Sequence, residues 1–174
     1  VVTNKRPTID VQAGLKAFEE DLPRVLACLN VSSIEELGWG MPKPLTLLVP
    51  MSGKIGEKND EYLLRLGFHA YRAWPPSAQF INPATNDYVY PQDQHFVPRL
   101  ESNECRTHIA YDHTAEGKKI QLVCCSATFE FYDVLHSVDA AYIWSETDTF
   151  LKTINAIRRA FSESYKGRFE AHGK

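Results

Sequence analysis

The sequence predicts an α+β domain: an antiparallel sheet meander flanked by an N-terminal helix and a C-terminal helix. Three observations carry this. Apolar residues repeat at helical spacing near both ends, Leu15, Phe18 and Leu22 at one and Phe150, Leu151, Ile154, Ile157 and Phe161 at the other. Between them, residues 61–69 alternate, with Tyr62, Leu64, Leu66 and Phe68 on one face and Leu63, Arg65 and Gly67 on the other. No internal repeat and no linker divides the 174 residues, a length that fits one domain, 1–174.

The elements follow in order. Asp10 is placed to cap the first helix, and Pro23 is expected to interrupt or kink it before Val25, Leu26 and Leu29 add a second apolar turn. Lys16, Glu19, Glu20 and Asp21 read as its charged outer surface. Residues 38–44, Gly-Trp-Gly-Met-Pro-Lys-Pro, form a breaker. A short strand over 45–49 should end at Pro50 and a Ser52-Gly53 turn, and the alternating strand follows it. Pro75 and Pro76 break the ladder, and 77–81 resume it. Residues 82–116 read as a long loop with Pro83, Pro91 and Pro98, a length that raises the case for function. Residues 119–132 return to an extended pattern through Ile120, Leu122, Phe129 and Phe131. Ser145 and Thr147 offer caps for the last helix, and Gly167 offers its terminator.

Composition narrows the class. The chain is 44% hydrophobic and 11% aromatic, enough for a buried core. Nineteen basic against 22 acidic side chains lack the cationic balance of a dedicated nucleic-acid binder. No apolar run approaches the ~18–20 residues of a spanning helix, and residues 1–10 contain no apolar signal core. A soluble, cytoplasmic protein is expected. Four cysteines, Cys28, Cys105, Cys124 and Cys125, are too sparse for a secreted disulfide scaffold and contain no CxxC pair. They are either small buried hydrophobes or reactive thiols.

Cys124 and Cys125 end an apolar strand, with Ser126 and Thr128 beside them as hydrogen-bonding hydroxyls. A thiol reacts as thiolate, so a nucleophile needs exposure and a lowered pKa. Strand alternation sends one of the two cysteines to the core and the other away. His136, twelve residues after Cys124, and the loop histidines His95, His108 and His113 are the available bases. A Cys/His pairing would also suit a thiol hydrolase, and Cys105 with His108 and His113 lacks an obvious fourth metal ligand.

In their order these pieces resemble the ubiquitin-conjugating-enzyme fold, in particular its divergent bacterial relatives. In that family a helix precedes an antiparallel meander whose third strand runs into a Tyr-Pro-x-x-Pro-Pro turn and a strand ending in Phe. Here Tyr71-Arg72-Ala73-Trp74-Pro75-Pro76 leads to Phe80, and Trp144-Ser145 precedes the last helix where the family has Trp-Ser-Pro. The His-Pro-Asn tripeptide of eukaryotic members is missing, and eight residues before Trp144 stands His136 rather than their cysteine. The bacterial pattern is a cysteine, a small-Thr-x-Glu-aromatic run, a histidine and a tryptophan. Residues 124–132, followed by His136 and Trp144, are similar to it.

The resemblance implies a conjugating enzyme that accepts a ubiquitin-like modifier as a thioester from an activating enzyme and passes it to an amine on a target protein. Its catalytic residues would be Cys124, with Cys125 one residue out of register and Cys105 a third candidate, supported by His136 and Thr128. It implies no cofactor and no metal and a place in bacterial antiviral defence, while charge balance and the lack of a long apolar run point to no nucleic-acid or membrane partner. The first helix would contribute to the activating-enzyme contact, and Trp144 would be structural. The alternative is a catalytically inactive member of the fold that serves as a binding module or scaffold.

Overall fold

The computed structural model describes residues 7–113, 117–134 and 142–173. Helix α1, Val11–Cys28, is capped by Asp10, whose carboxylate accepts the Ala13 N–H at 3.0 Å. Its buried line is Gly14, Phe18, Asp21 and Val25, with Leu15 and Leu22 half-buried beside it. A side chain at Gly14 would collide with the Phe68 carbonyl, so the missing Cβ lets the helix seat directly on the end of the sheet.

The sheet is antiparallel, in the order β1 (Gly40–Lys43), β2 (Thr46–Ile55), β3 (Lys58–Gly67) and β4 (Ser77–Ile81). Its inner face aligns Leu47, Val49 and Met51 of β2 with Leu66, Leu64 and Tyr62 of β3, and Ala78 and Phe80 of β4 continue the rows. Helix α3, Leu151–Ser164, adds Ile154, Ile157 and Phe161 to the same core. A second unit is the hairpin of β6 (Cys105–His113) and β7 (Lys118–Cys125), followed by the short helix α2 (Phe129–Asp133). Strand β5, Pro98–Leu100, pairs with β8, Tyr165–Arg168.

The outer edge of β4 is finished by side chains. The Phe80 N–H donates to Gln121 Oε1 at 2.6 Å, and Gln121 Nε2 donates to the Phe80 carbonyl at 2.8 Å. The Ala78 N–H donates to Glu130 Oε2 at 3.1 Å. An edge satisfied in this way has fewer free groups to template another chain.

Several expectations are corrected. Helix α1 runs through Pro23, because Pro23 is exposed and the carbonyl its ring leaves free, at Glu19, lies on the solvent face. Asp21 is fully buried rather than part of the charged surface. Strand β2 continues through Pro50 to Ile55: the last residue it pairs with β1 is Leu48, so beyond that point a missing N–H breaks no ladder bond. The supposed loop 82–116 contains β5 and β6, so His108 and His113 are strand residues. Phe129 and Phe131 belong to α2, not to a strand, because the Thr128 hydroxyl closes the chain back onto the Val123 and Cys125 carbonyls. Helix α3 starts at Leu151 with no side-chain cap, while Ser145 and Asp148 bond each other in a preceding turn. The helix ends at Ser164, and Gly167, at φ +97°, lies within β8. Among the described residues no helix is long and apolar enough to cross a membrane.

Candidate functional site

The cysteine segment is positioned by the β6–β7 ladder. Cys105 lies opposite Cys125 and Arg106 opposite Cys124. The pleat sends Val123 and Cys125 into the core and leaves Cys124 half-buried on the other face. The turn after Cys125 is closed from several sides. Thr128, itself buried, donates its hydroxyl to the carbonyls of Val123 and Cys125 at 2.9 and 2.8 Å. Ser126 Oγ accepts the Tyr142 N–H at 2.8 Å, and the Tyr132 hydroxyl donates to the Ser126 carbonyl at 2.9 Å. Thr153 of α3 donates to the Ala127 carbonyl at 2.7 Å. Ser126 and Thr128 therefore shape the turn, and their hydroxyls are engaged inside the protein.

The three thiols of this region differ sharply. Burial pushes the Cys124 thiol up to about 11; the adjacent Cys125 adds to the rise and the Arg106 charge opposes it. Cys125 is held below the ordinary thiol range by the Cys105 thiol that donates to it, against burial and with the Ala127 N–H helping. The Cys105 pKa is raised by its contact with Cys125 and by burial. His136 lies outside the described residues, so its position relative to the thiols is not part of this geometry.

Because residues opposite one another in a ladder project from the same face, Arg106 stands beside Cys124. Arg106 and His108 line an open cleft of about 650 Å³ that also takes in Arg99, Glu101 and Glu170. A second cleft, about 420 Å³, lies at the β4 edge, where Lys43, Arg65, His69, Ser77 and Glu130 meet. Burial pushes the Glu130 carboxyl up to about 7, with Asp133 adding to the rise and the N–H groups of Ala78 and Glu130 itself acting against it. Sequence reasoning singled out neither Arg106 nor the unusual state of Glu130, because the first depends on pairing across strands and the second on the burial of α2 against the β4 edge. Among the described residues no group of three or more His, Cys, Asp or Glu side chains is arranged to hold a metal.

Behind the cysteine turn, the Tyr71–Pro76 turn is tied to both outer helices. The Tyr71 hydroxyl donates to Asp21 Oδ2 at 2.6 Å and accepts the Phe150 N–H at 3.0 Å. Arg72 Nε donates to the same Asp21 oxygen at 2.9 Å. The half-buried Trp144 donates its indole N–H to the Arg72 carbonyl at 2.8 Å, and its backbone N–H donates to the Tyr132 hydroxyl at 3.0 Å. Tyr132 thus links Trp144 to the Ser126 carbonyl in one chain of bonds. Compared with protein-family models, curated proteins and solved structures, the sequence and fold match none.

Proposed function

We propose that the protein is a conjugating enzyme for a ubiquitin-like modifier, with Cys124 as the residue that carries the thioester. The observation that supports this best is the convergence of the Tyr71–Pro76 turn, Trp144, the start of α3 and the Cys124–Thr128 turn on one hydrogen-bonded joint. These are the segments on which the family resemblance rests, and they lie far apart in sequence. Cys124 is assigned the nucleophile because it is the accessible thiol of the pair, while Cys105 and Cys125 are each 1% exposed.

The reaction is an acyl transfer in two steps. The Cys124 thiolate attacks the thioester carbonyl of the activated modifier, and the activating enzyme's thiolate leaves. An amine of the target then attacks the new thioester, loses a proton and releases Cys124. Arg106, beside Cys124, favours the thiolate and is placed to meet negative charge developing near it. The reading carries with it the modifier, the activating enzyme and a target protein as partners, and extends to a role in bacterial defence.

A second reading, a catalytically inactive binding module of the same fold, is favoured by one observation: the Cys124 thiol is pushed up to about 11, leaving little thiolate at neutral pH. The experiment separates the two. With cognate modifier, activating enzyme and ATP, the wild-type chain should form a DTT-sensitive adduct. Cys124→Ala should abolish it, Cys124→Ser should give at most a DTT-resistant oxyester, and Cys105→Ala should leave it intact. Failure of the wild-type chain to charge while it still binds the modifier selects the inactive module. Loss of charging in Cys125→Ala or Cys105→Ala alone moves the nucleophile from Cys124.

A further inference from the structure

We propose that Cys105 and Cys125 form a dithiol site that small hydroperoxides oxidise to a cross-strand disulfide, leaving Cys124 and Cys28 as thiols. The two cysteines are direct partners in the β6–β7 register, and both side chains enter the same core. Their backbones do not bond each other. The Cys105 N–H donates to Ser102 Oγ at 2.8 Å, and the Cys125 carbonyl accepts from the Thr128 N–H at 2.9 Å and its hydroxyl at 2.8 Å. Theirs is thus a non-hydrogen-bonded ladder position, where Cα atoms approach to about 4.5 Å. That separation falls within the roughly 4.4–6.8 Å span of disulfides.

The other cysteines lack such a partner. Cys124 projects from the opposite face, with Arg106 across from it, and Cys28 stands exposed at the end of α1. Access also separates the sites. Cys105 and Cys125 are each 1% exposed, so an oxidant must be close to the size of water to reach them. Hydrogen peroxide meets that condition. Glutathione disulfide does not, and its reaction is confined to Cys28 and Cys124.

The chemistry balances without further reactants. Cys125 loses its proton and its sulfur attacks one peroxide oxygen, the O–O bond breaks, and the leaving oxygen takes up that proton through solvent and departs as alcohol or water, giving a sulfenic acid. Cys105 gives up its proton, its sulfur attacks the Cys125 sulfur, and the sulfenic hydroxyl leaves as water. Two thiols and one hydroperoxide become one disulfide, one alcohol (or water) and one water. The product ties β6 to the end of β7 and closes a loop across the hairpin, which restricts the unfolded chain. This proposal stands independently of the conjugating function.

The test is thiol mapping on the reduced full chain after hydrogen peroxide treatment. Remaining thiols are alkylated with N-ethylmaleimide under denaturing conditions, and peptides are mapped without reduction. The expected result is loss of two hydrogens, a Cys105–Cys125 linked peptide, alkylated Cys28 and Cys124, and a higher melting temperature that DTT reverses. A Cys28→Ser/Cys124→Ser variant, which retains only the proposed pair, should give the same link. Cys105→Ser should instead accumulate a sulfenic acid on Cys125 that dimedone traps. Glutathione disulfide should modify Cys28 and Cys124 alone. A disulfide containing Cys124, sulfinic acid on Cys124 with Cys105 and Cys125 both alkylated, or an unlinked pair in the double variant would each overturn the proposal.

Discussion

Glu130→Gln should flatten the pH dependence of stability between pH 4.5 and about 7. The native carboxyl is pushed up to about 7 by burial, from an ordinary value of 4.5. A raised folded-state pKa means that between these values the unfolded chain has lost the proton while the folded protein still holds it. The folded state then binds more protons than the unfolded one, so stability falls as pH rises, by about 1.4 kcal/mol per unit at most. The stability is fully present below pH 4.5 and lost as pH passes through about 7. The full shift sets a ceiling of about 3 kcal/mol; Glu130 is only half-buried, and solvent screening reduces the expected difference to about 1–2 kcal/mol. Gln keeps an acceptor for the Ala78 N–H and carries no charge, so the variant should match wild type at pH 4 and exceed it at pH 8. Urea unfolding of both proteins from pH 4 to 9 measures this, because other titrating groups cancel in the difference. Parallel curves would refute the reasoning, and a variant less stable at pH 8 would show an ionised carboxylate stabilising the β4 edge.

Asp21→Ala should cost about 2–4 kcal/mol by urea unfolding, since it strands the Tyr71 hydroxyl and the Arg72 guanidinium that converge on that buried carboxylate. Combined with Tyr71→Phe it should cost less than the sum of the two changes, because both break one network. Trp144→Phe keeps most of the ring and removes the bond to the Arg72 carbonyl, so its cost should be about 0.5–1.5 kcal/mol; a neutral change would show that the joint depends on ring packing alone. Arg106→Ala removes the cation that opposes the rise in the Cys124 pKa, so iodoacetamide should label Cys124 more slowly at pH 8 than in wild type. The difference should shrink as pH approaches about 11, and equal rates at pH 8 would show that Arg106 does not act on the thiol.

Local periodicity made the scaffold legible. The Asp10 cap, the alternation of β3 and the Ile154, Ile157 and Phe161 stripe are each set within a few residues. What was not legible depends on partners distant in sequence. Asp21 reads as surface charge until Tyr71 and Arg72, some fifty residues on, supply its donors. Strand β6 hides within an apparent loop because Arg106, His108 and Asp112 are polar and the register shifts between His108 and Tyr111, so no clean alternation survives. Pro50 imitates a strand end because the sequence does not reveal that β1 has already stopped pairing.

The cysteines show the same division at the scale of one site. Alternation predicts that Cys124 and Cys125 face opposite ways, but the side each takes depends on Val123 entering the core and on Thr128 closing the strand. A nucleophilic thiol needs both access and a stabilised thiolate. Here the two properties are separated: Cys124 has the access and a raised pKa, whereas Cys125 has the lowered pKa and is enclosed. If Cys124 carries a thioester, its charging calls for a proton acceptor or positive charge beyond what Arg106 supplies. Oxidation by a molecule as small as hydrogen peroxide would draw instead on the lowered Cys125 pKa and on Cys105 directly across the ladder from it. The half-buried Cys124 and the enclosed pair thus differ first in which reagents can reach them: of the three, large ones meet only Cys124, and Cys105 and Cys125 admit only those near the size of water.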